Sequence, residues 1–138
     1  MRHNYSYIGC FFEDLHGILE ERNLSTGALD KVIQTPHVTF IYRPEVVEEE
    51  LFGEEVKITV IGYGNNGENE GLRVELATSN PRLQEMIAEI AVPHITLSVS
   101  RRGEAVNTKD LEFAPVEPFE LVGIFGAYRK DGEVILKP

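Results

Sequence analysis

Two short strings carry the chemistry of this chain: Thr35-Pro36-His37-Val38-Thr39-Phe40 and Val92-Pro93-His94-Ile95-Thr96-Leu97. Each contains Pro-His, an aliphatic residue and Thr. In an extended strand, residues two apart share a face. His37 and Thr39 therefore project together, as do His94 and Thr96, while Val38, Phe40, Ile95 and Leu97 take the opposite, core-facing side. Each proline holds the preceding residue extended, which suits the start of a strand. An imidazole titrates near neutrality, so one ring can accept a proton while a second donates one. Two such strands placed side by side would set two imidazoles and two hydroxyls around one groove. Those are the groups needed to cleave a phosphodiester without a metal. A base acts on the attacking water, an acid on the leaving ribose oxygen of a cyclic phosphate, and hydroxyl donors meet the charge on the non-bridging oxygens.

The elements that must position these groups are legible in the surrounding sequence. Tyr5 to Phe12 is aromatic and β-rich and reads as a strand. Glu13 to Arg22 spaces Leu15, Ile18 and Leu19 as one face of a helix. Leu24 to Ile33 reads as a continuation or a second helix, with Ser25 or Thr26 as its cap, ended by Pro36. His37 to Tyr42 is a strand, followed by a glutamate-rich connection. Val56 to Tyr63 is a strand, Gly64 to Gly71 a loop and Leu72 to Ala77 a strand. Asn80-Pro81 is a strong helix start, with the stripe Leu83, Met86, Ile87 and Ile90, and Pro93 stops the helix. His94 to Val99 is a strand and Arg101 to Asp110 a polar loop. Phe119 to Tyr128 and Glu133 to Leu136 form a hairpin about Lys130-Asp131-Gly132. The order strand, helix, Pro-His-x-Thr strand, connection, strand occurs twice, which points to an internal duplication with a pseudo-twofold axis. The expected fold is α+β: one domain, 1–138, whose duplicated strand-helix-strand halves (about 1–70 and 71–138) form two antiparallel sheets around a central cleft.

Composition narrows the function classes. The 138 residues suffice for one domain with a core. The net charge of −10 disfavours a protein that grips long duplex nucleic acid by neutralising phosphates. Two windows, Lys31 to Pro44 and Ala91 to Gly103, contain no acid, and either a local anion site or burial as strands explains this. The N-terminal residues do not read as a signal peptide, no apolar run reaches membrane-spanning length, and Cys10 stands alone. A cytoplasmic protein that does not enter a membrane is the expectation, with Cys10 as a core thiol and His3 and His16 on the surface.

The paired His-hydrophobic-Thr-hydrophobic strings resemble the signature of the two-histidine (2H) phosphoesterase superfamily, which includes RNA 2′,3′-cyclic phosphodiesterases and small RNA-repair-type members. Both copies match in full, and the resemblance extends to chain length and the duplicated α+β order. It implies His37 and His94 as the acid–base pair, Thr39 and Thr96 as phosphate-binding residues, and no metal or other cofactor. It also implies hydrolysis of a 2′,3′-cyclic phosphate on an RNA end or nucleotide, with the 2′-phosphate retained. Arg43 and Arg101 end the two motif strands and are candidates to steer phosphate, against a reading as exposed strand-end charge. Tyr128, in a place comparable to Tyr63, is a candidate to stack a base, against simple packing. No protein partner is implied, and a monomer is the working expectation. A zinc site is a rival reading, but it wants three ligands, and neither His-Glu-x-x-His nor a cysteine pair is present. A non-catalytic phosphate or nucleotide sensor is another, though it would not need both histidines. A third rival is a related enzyme acting on 2′-5′ linkages.

Overall fold

The computed structural model describes residues 5–24 and 28–138, so His3, Ser25 and Thr26 lie outside the described residues. The fold is mixed α+β, built on one antiparallel sheet of eight strands. The strands are β1 (Tyr5–Phe11), β2 (Lys31–Val32), β3 (His37–Tyr42), β4 (Glu55–Asn65), β5 (Asn69–Ala77), β6 (His94–Val99), β7 (Ala114–Arg129) and β8 (Val134–Ile135). Two helices, α1 (Leu15–Glu21) and α2 (Pro81–Ala88), precede the two motif strands. Strand order across the sheet is β2-β6-β5-β4-β7-β1-β3, with β8 added to β7.

The expectation of two separate sheets is thus corrected. The long strands β4 and β7 pair directly, from Glu55 opposite Ile124 to Tyr63 opposite Ala114, and this ladder joins everything into one sheet. The sheet is open, because β3 and β6 share no ladder. It nonetheless bends so that their Cα atoms approach to within 8 Å, although they stand near opposite ends of the strand order. That bend, permitted by the natural twist of a wide sheet and by bulges in five of its pairings, brings the two motif strands to one place.

Alternation decides which face is core. Val56, Ile58 and Val60 of β4, Leu72 and Val74 of β5, and Ile95 and Leu97 of β6 are all essentially buried. They form one cluster with Ile8, Cys10, Val38, Phe40 and Phe125, and with the helix residues Leu15, Leu19, Leu83 and Met86. Cys10 is a core thiol as expected, and burial pushes its pKa up. Both helices therefore pack on the face opposite the histidines. Asn80 caps α2 by accepting from the N–H groups of Arg82 (3.0 Å) and Leu83 (3.1 Å), with Pro81 opening the first turn.

Two pairings share one register. Across β1 and β3, Phe11 faces His37 and Gly9 faces Thr39, with a bulge before Ile8 meets Ile41. Across β5 and β6, Arg73 faces His94 and Gly71 faces Thr96, with a bulge before Glu70 meets Ser98. Each motif threonine thus lies opposite a glycine, and an added Cβ at Gly71 would fall 2.3 Å from Thr108 Cγ2 and 2.6 Å from the Ile95 carbonyl oxygen.

Other expectations change. Of the segment read as a second helix, residues 28–30 are not helical and Lys31–Val32 pairs with β6. Its helical spacing loses to a ladder and to Glu70, whose buried carboxylate accepts from the Ala28 N–H (3.1 Å). The loop read over Gly64 to Gly71 shrinks to Asn66–Glu68, because the side chains of Asn65 and Asn66 close the tip by accepting from Gly67, Glu68 and Asn69 N–H groups. The polar Arg101 to Asp110 loop contains a 3-10 helix, Ala105–Asp110. Strand β7 starts at Ala114 rather than Phe119, its first half hidden by Pro115 and Pro118. His16 is not a free surface residue: it is partly buried and its Nε2 donates to the Ile33 carbonyl (2.9 Å). Among the described residues no helix is long and apolar enough to cross a membrane.

Candidate active site

The two histidines are held by one device. His37 Nδ1 lies 2.9 Å from the Thr35 carbonyl oxygen, and His94 Nδ1 lies 2.7 Å from that of Val92. In each case the acceptor is two residues back, across the proline. A carbonyl can only accept, so the Nδ1 of each ring carries the hydrogen. In the neutral form, each Nε2 is then the basic nitrogen. Neither Nε2 has a hydrogen-bond partner among the described residues, and neither is sealed from solvent. Proline thus does more than start a strand here: it shapes the turn that fixes the tautomer and orientation of the imidazole that follows.

Both rings are partly buried. Burial is the main cause that pulls His37 below the usual histidine value; the Thr35 carbonyl opposes it, and the charge of His94 lowers it further. The two imidazoles therefore feel each other, as expected where β3 and β6 meet. Burial also dominates the lowering of His94, opposed by the Val92 carbonyl. Lys109 and Arg73 lower it further, while Asp110 acts the other way.

The surroundings of the two rings differ. His37 stacks on Tyr7, with ring centroids 4.3 Å apart and planes 23° from parallel, and Phe11 lies beside both rings, 5.9 Å from His37. The Tyr7 hydroxyl lies 3.1 Å from His37 Nδ1, where it can share that hydrogen as a second acceptor. Tyr128 stacks on the far face of this group, its ring parallel to that of Tyr7 at 5.1 Å. Burial, then the nearby Tyr128, raises the pKa of Tyr7, so it remains a neutral phenol. His94 has polar company instead. Arg73 lies directly across the ladder from it. Its Nε is buried and meets no hydrogen-bond acceptor among the described residues.

The threonines also differ. Thr39 is half-buried, and its hydroxyl makes no hydrogen bond to a described residue. Thr96 is buried under the 3-10 helix, 2.9 Å from Thr108 Oγ1 and 3.3 Å from the Ala105 carbonyl oxygen. Asn69 Nδ2 donates to Thr108 Oγ1 (3.1 Å) and to the Glu104 carbonyl (2.7 Å). Thr96 Oγ1 donates toward Thr108 Oγ1 and the Ala105 carbonyl, so a ligand oxygen at this position would have to take over its hydrogen.

The structure does not bring Arg43 and Arg101 to the histidines, and both are exposed at their strand ends. They stand six and seven residues beyond His37 and His94 along extended chain, about 20 Å away at strand rise. Arg43 instead lies over the Tyr42 ring, and Arg101 is exposed beside Asp30. Nor do Tyr63 and Tyr128 hold comparable places. Tyr128 pairs with Tyr7 on the histidine side, whereas Tyr63 pairs with core Leu72 and donates to buried Glu70. Sequence reasoning missed Tyr7, Phe11, Arg73 and Lys109. For Phe11 and Arg73 a signal existed: each lies two residues after the glycine opposite a motif threonine. A cavity of about 660 Å³ opens elsewhere, among Lys57, Thr78, Ser79 and Glu120, and contains no histidine.

The resulting constellation has two basic nitrogens open to solvent on converging strands, hydroxyls beside them, an aromatic wall at one end and a fixed cation at the other. Comparison with protein-family models, with curated proteins and with solved structures finds no match for this chain.

Proposed function

We propose that this protein is a metal-independent 2′,3′-cyclic phosphodiesterase of the 2H phosphoesterase type, acting on an RNA end or nucleotide. One observation carries the reading: His37 and His94, on strands that meet, use the same carbonyl-anchored tautomer and leave both Nε2 atoms available. In the reaction, one neutral Nε2 takes a proton from water as the water oxygen bonds to phosphorus. The bond from phosphorus to the ribose 3′-oxygen breaks, and the other ring, as imidazolium, gives that oxygen its proton. The product carries a 2′-phosphate. Thr39 and Thr96 donate to the non-bridging oxygens, where negative charge gathers. Tyr128, the partly exposed member of the aromatic group beside His37, supplies a flat surface for a base, backed by the buried Tyr7 and Phe11.

The matched registers of β1–β3 and β5–β6, each with a glycine opposite the threonine and a bulge after it, support an internal duplication with a pseudo-twofold relation between halves. Such a relation accounts for two equivalent histidines. The acidic chain suits a short RNA end or a mononucleotide better than a long duplex. A cytoplasmic setting and a monomeric state are part of the same proposal.

The test is direct. In EDTA, the protein should open a nucleoside 2′,3′-cyclic phosphate to a monophosphate. His37→Ala and His94→Ala should each lower kcat by at least about a hundredfold while the variants stay folded. Abolition of activity by EDTA, or full activity in either variant, overturns the proposal.

A further inference from the structure

We infer that Arg73 binds the phosphoryl group in the groove, serving the His94 half of the site as its fixed positive charge. This inference rests on the reading of His37 and His94 as the reacting pair. Three observations meet at Arg73. It lies opposite His94 in the β5–β6 ladder, so both side chains rise from the same face of the sheet. It forms no ion pair or hydrogen bond with any described residue, although the chain carries 23 acids, whereas Arg82 and Arg129 are tied to carboxylates. Its Nε is buried without an acceptor. A buried N–H with no partner is costly unless something supplies one. Across the ladder, Gly62 presents no side chain to occupy that space.

The missing acceptor is identified by what His94 must touch. Arg73 is the cross-strand neighbour of the reacting imidazole, and the group proposed to sit there is a phosphate, whose oxygens match the planar fork of a guanidinium. The charge balance fits. A cyclic phosphodiester carries one negative charge, and attack by water raises it toward two in the transition state. One imidazolium and one guanidinium match that total. The threonines alone supply dipoles but no charge. On the His37 side, the equivalent position is Phe11, so the cation belongs to one half only.

Arg73→Met keeps most of the side-chain volume and removes the charge; Arg73→Lys keeps the charge and loses the fork. Binding of inorganic phosphate and of adenosine 2′-monophosphate would be measured by calorimetry, alongside hydrolysis of a cyclic phosphate and thermal melting. The expected result is at least thirtyfold weaker binding of both ligands by Arg73→Met, about a hundredfold lower kcat/KM, and partial recovery in Arg73→Lys. The pH limb belonging to His94 should also move upward in Arg73→Met, since one of the cations facing it is gone, while Lys109, Asp110 and His37 remain. Arg102→Met, on the exposed turn after β6, should match the native protein. A folded Arg73→Met protein that binds phosphate with native affinity overturns the inference. If the native protein hydrolyses no cyclic phosphate yet binds phosphate through Arg73, the phosphodiesterase reading fails and the anion site stands.

Discussion

Replacing Gly71 with alanine tests how the His94 half of the groove is assembled. The new Cβ would lie 2.3 Å from Thr108 Cγ2 and 2.6 Å from the Ile95 carbonyl oxygen, each about 1 Å or more inside normal contact. Neither neighbour can yield cheaply. The Ile95 carbonyl belongs to the β6 strand between the two site residues His94 and Thr96, and Thr108 is a fully buried residue of the 3-10 helix. Overpacking of this kind costs about 1–3 kcal/mol. Moving Thr108 also breaks its bonds to Asn69 and Thr96, at roughly 1 kcal/mol each. The total is about 3–5 kcal/mol, a fall in Tm of roughly 10–20 °C for a domain of this size. Gly67→Ala is the matched control. Gly67 has φ +87° but nothing within 4 Å of an added Cβ, so it bears only the left-handed backbone strain of about 1–2 kcal/mol. Urea and thermal denaturation of both variants, with kcat measured on each, would decide the matter. If Gly71→Ala is no less stable than Gly67→Ala, the packing of the 3-10 helix against β5 and β6 has been misread.

Three further outcomes follow from the histidines and their neighbours. Both imidazoles have folded pKa values below the ordinary 6.5, so the native state binds fewer protons than the unfolded chain. Their contribution to stability is therefore complete above about pH 6.5 and lost as pH falls through the folded values; urea midpoints should drop on acidification, less steeply in a His37→Asn, His94→Asn double variant. Because the proposed reaction needs one charged and one neutral ring, kcat/KM should follow a bell centred below pH 6.5, and an optimum well above 7 would contradict it. Tyr7→Phe should keep activity within about fivefold, because the stack on His37 survives and the Thr35 carbonyl still holds the tautomer. A loss as large as that of His37→Ala would show instead that the Tyr7 hydroxyl holds the ring.

What the sequence revealed was local and alternating. His37, Thr39, His94 and Thr96 could be assigned to one strand face because Val38, Phe40, Ile95 and Leu97 mark the other, and all four of those residues are buried. Asn80-Pro81 announced α2 because capping is a short-range hydrogen-bond pattern. The joining of all strands into one sheet was not visible, because it depends on β4 pairing with β7 across about sixty residues. The role of the prolines was also hidden: the carbonyl two residues before each histidine is a backbone group, and no residue type advertises it. Arg73 and Tyr7 were overlooked for a related reason, since each reaches its histidine through strand pairing rather than through sequence proximity. Arg43 and Arg101 drew attention by proximity in sequence, and strand rise carries both away from the rings.

The central claim is that two imidazoles of the same tautomer present Nε2 to one shared phosphate. Nitrogen-15 NMR of the histidine rings tests this most directly, as a pH titration with and without adenosine 2′-monophosphate. The account predicts that His37 and His94 both carry hydrogen on Nδ1 when neutral, both titrate below 6.5, and both shift their Nε2 signals on addition of one equivalent of nucleotide. Hydrogen on Nε2 in either neutral ring, or a response confined to one histidine, would contradict it.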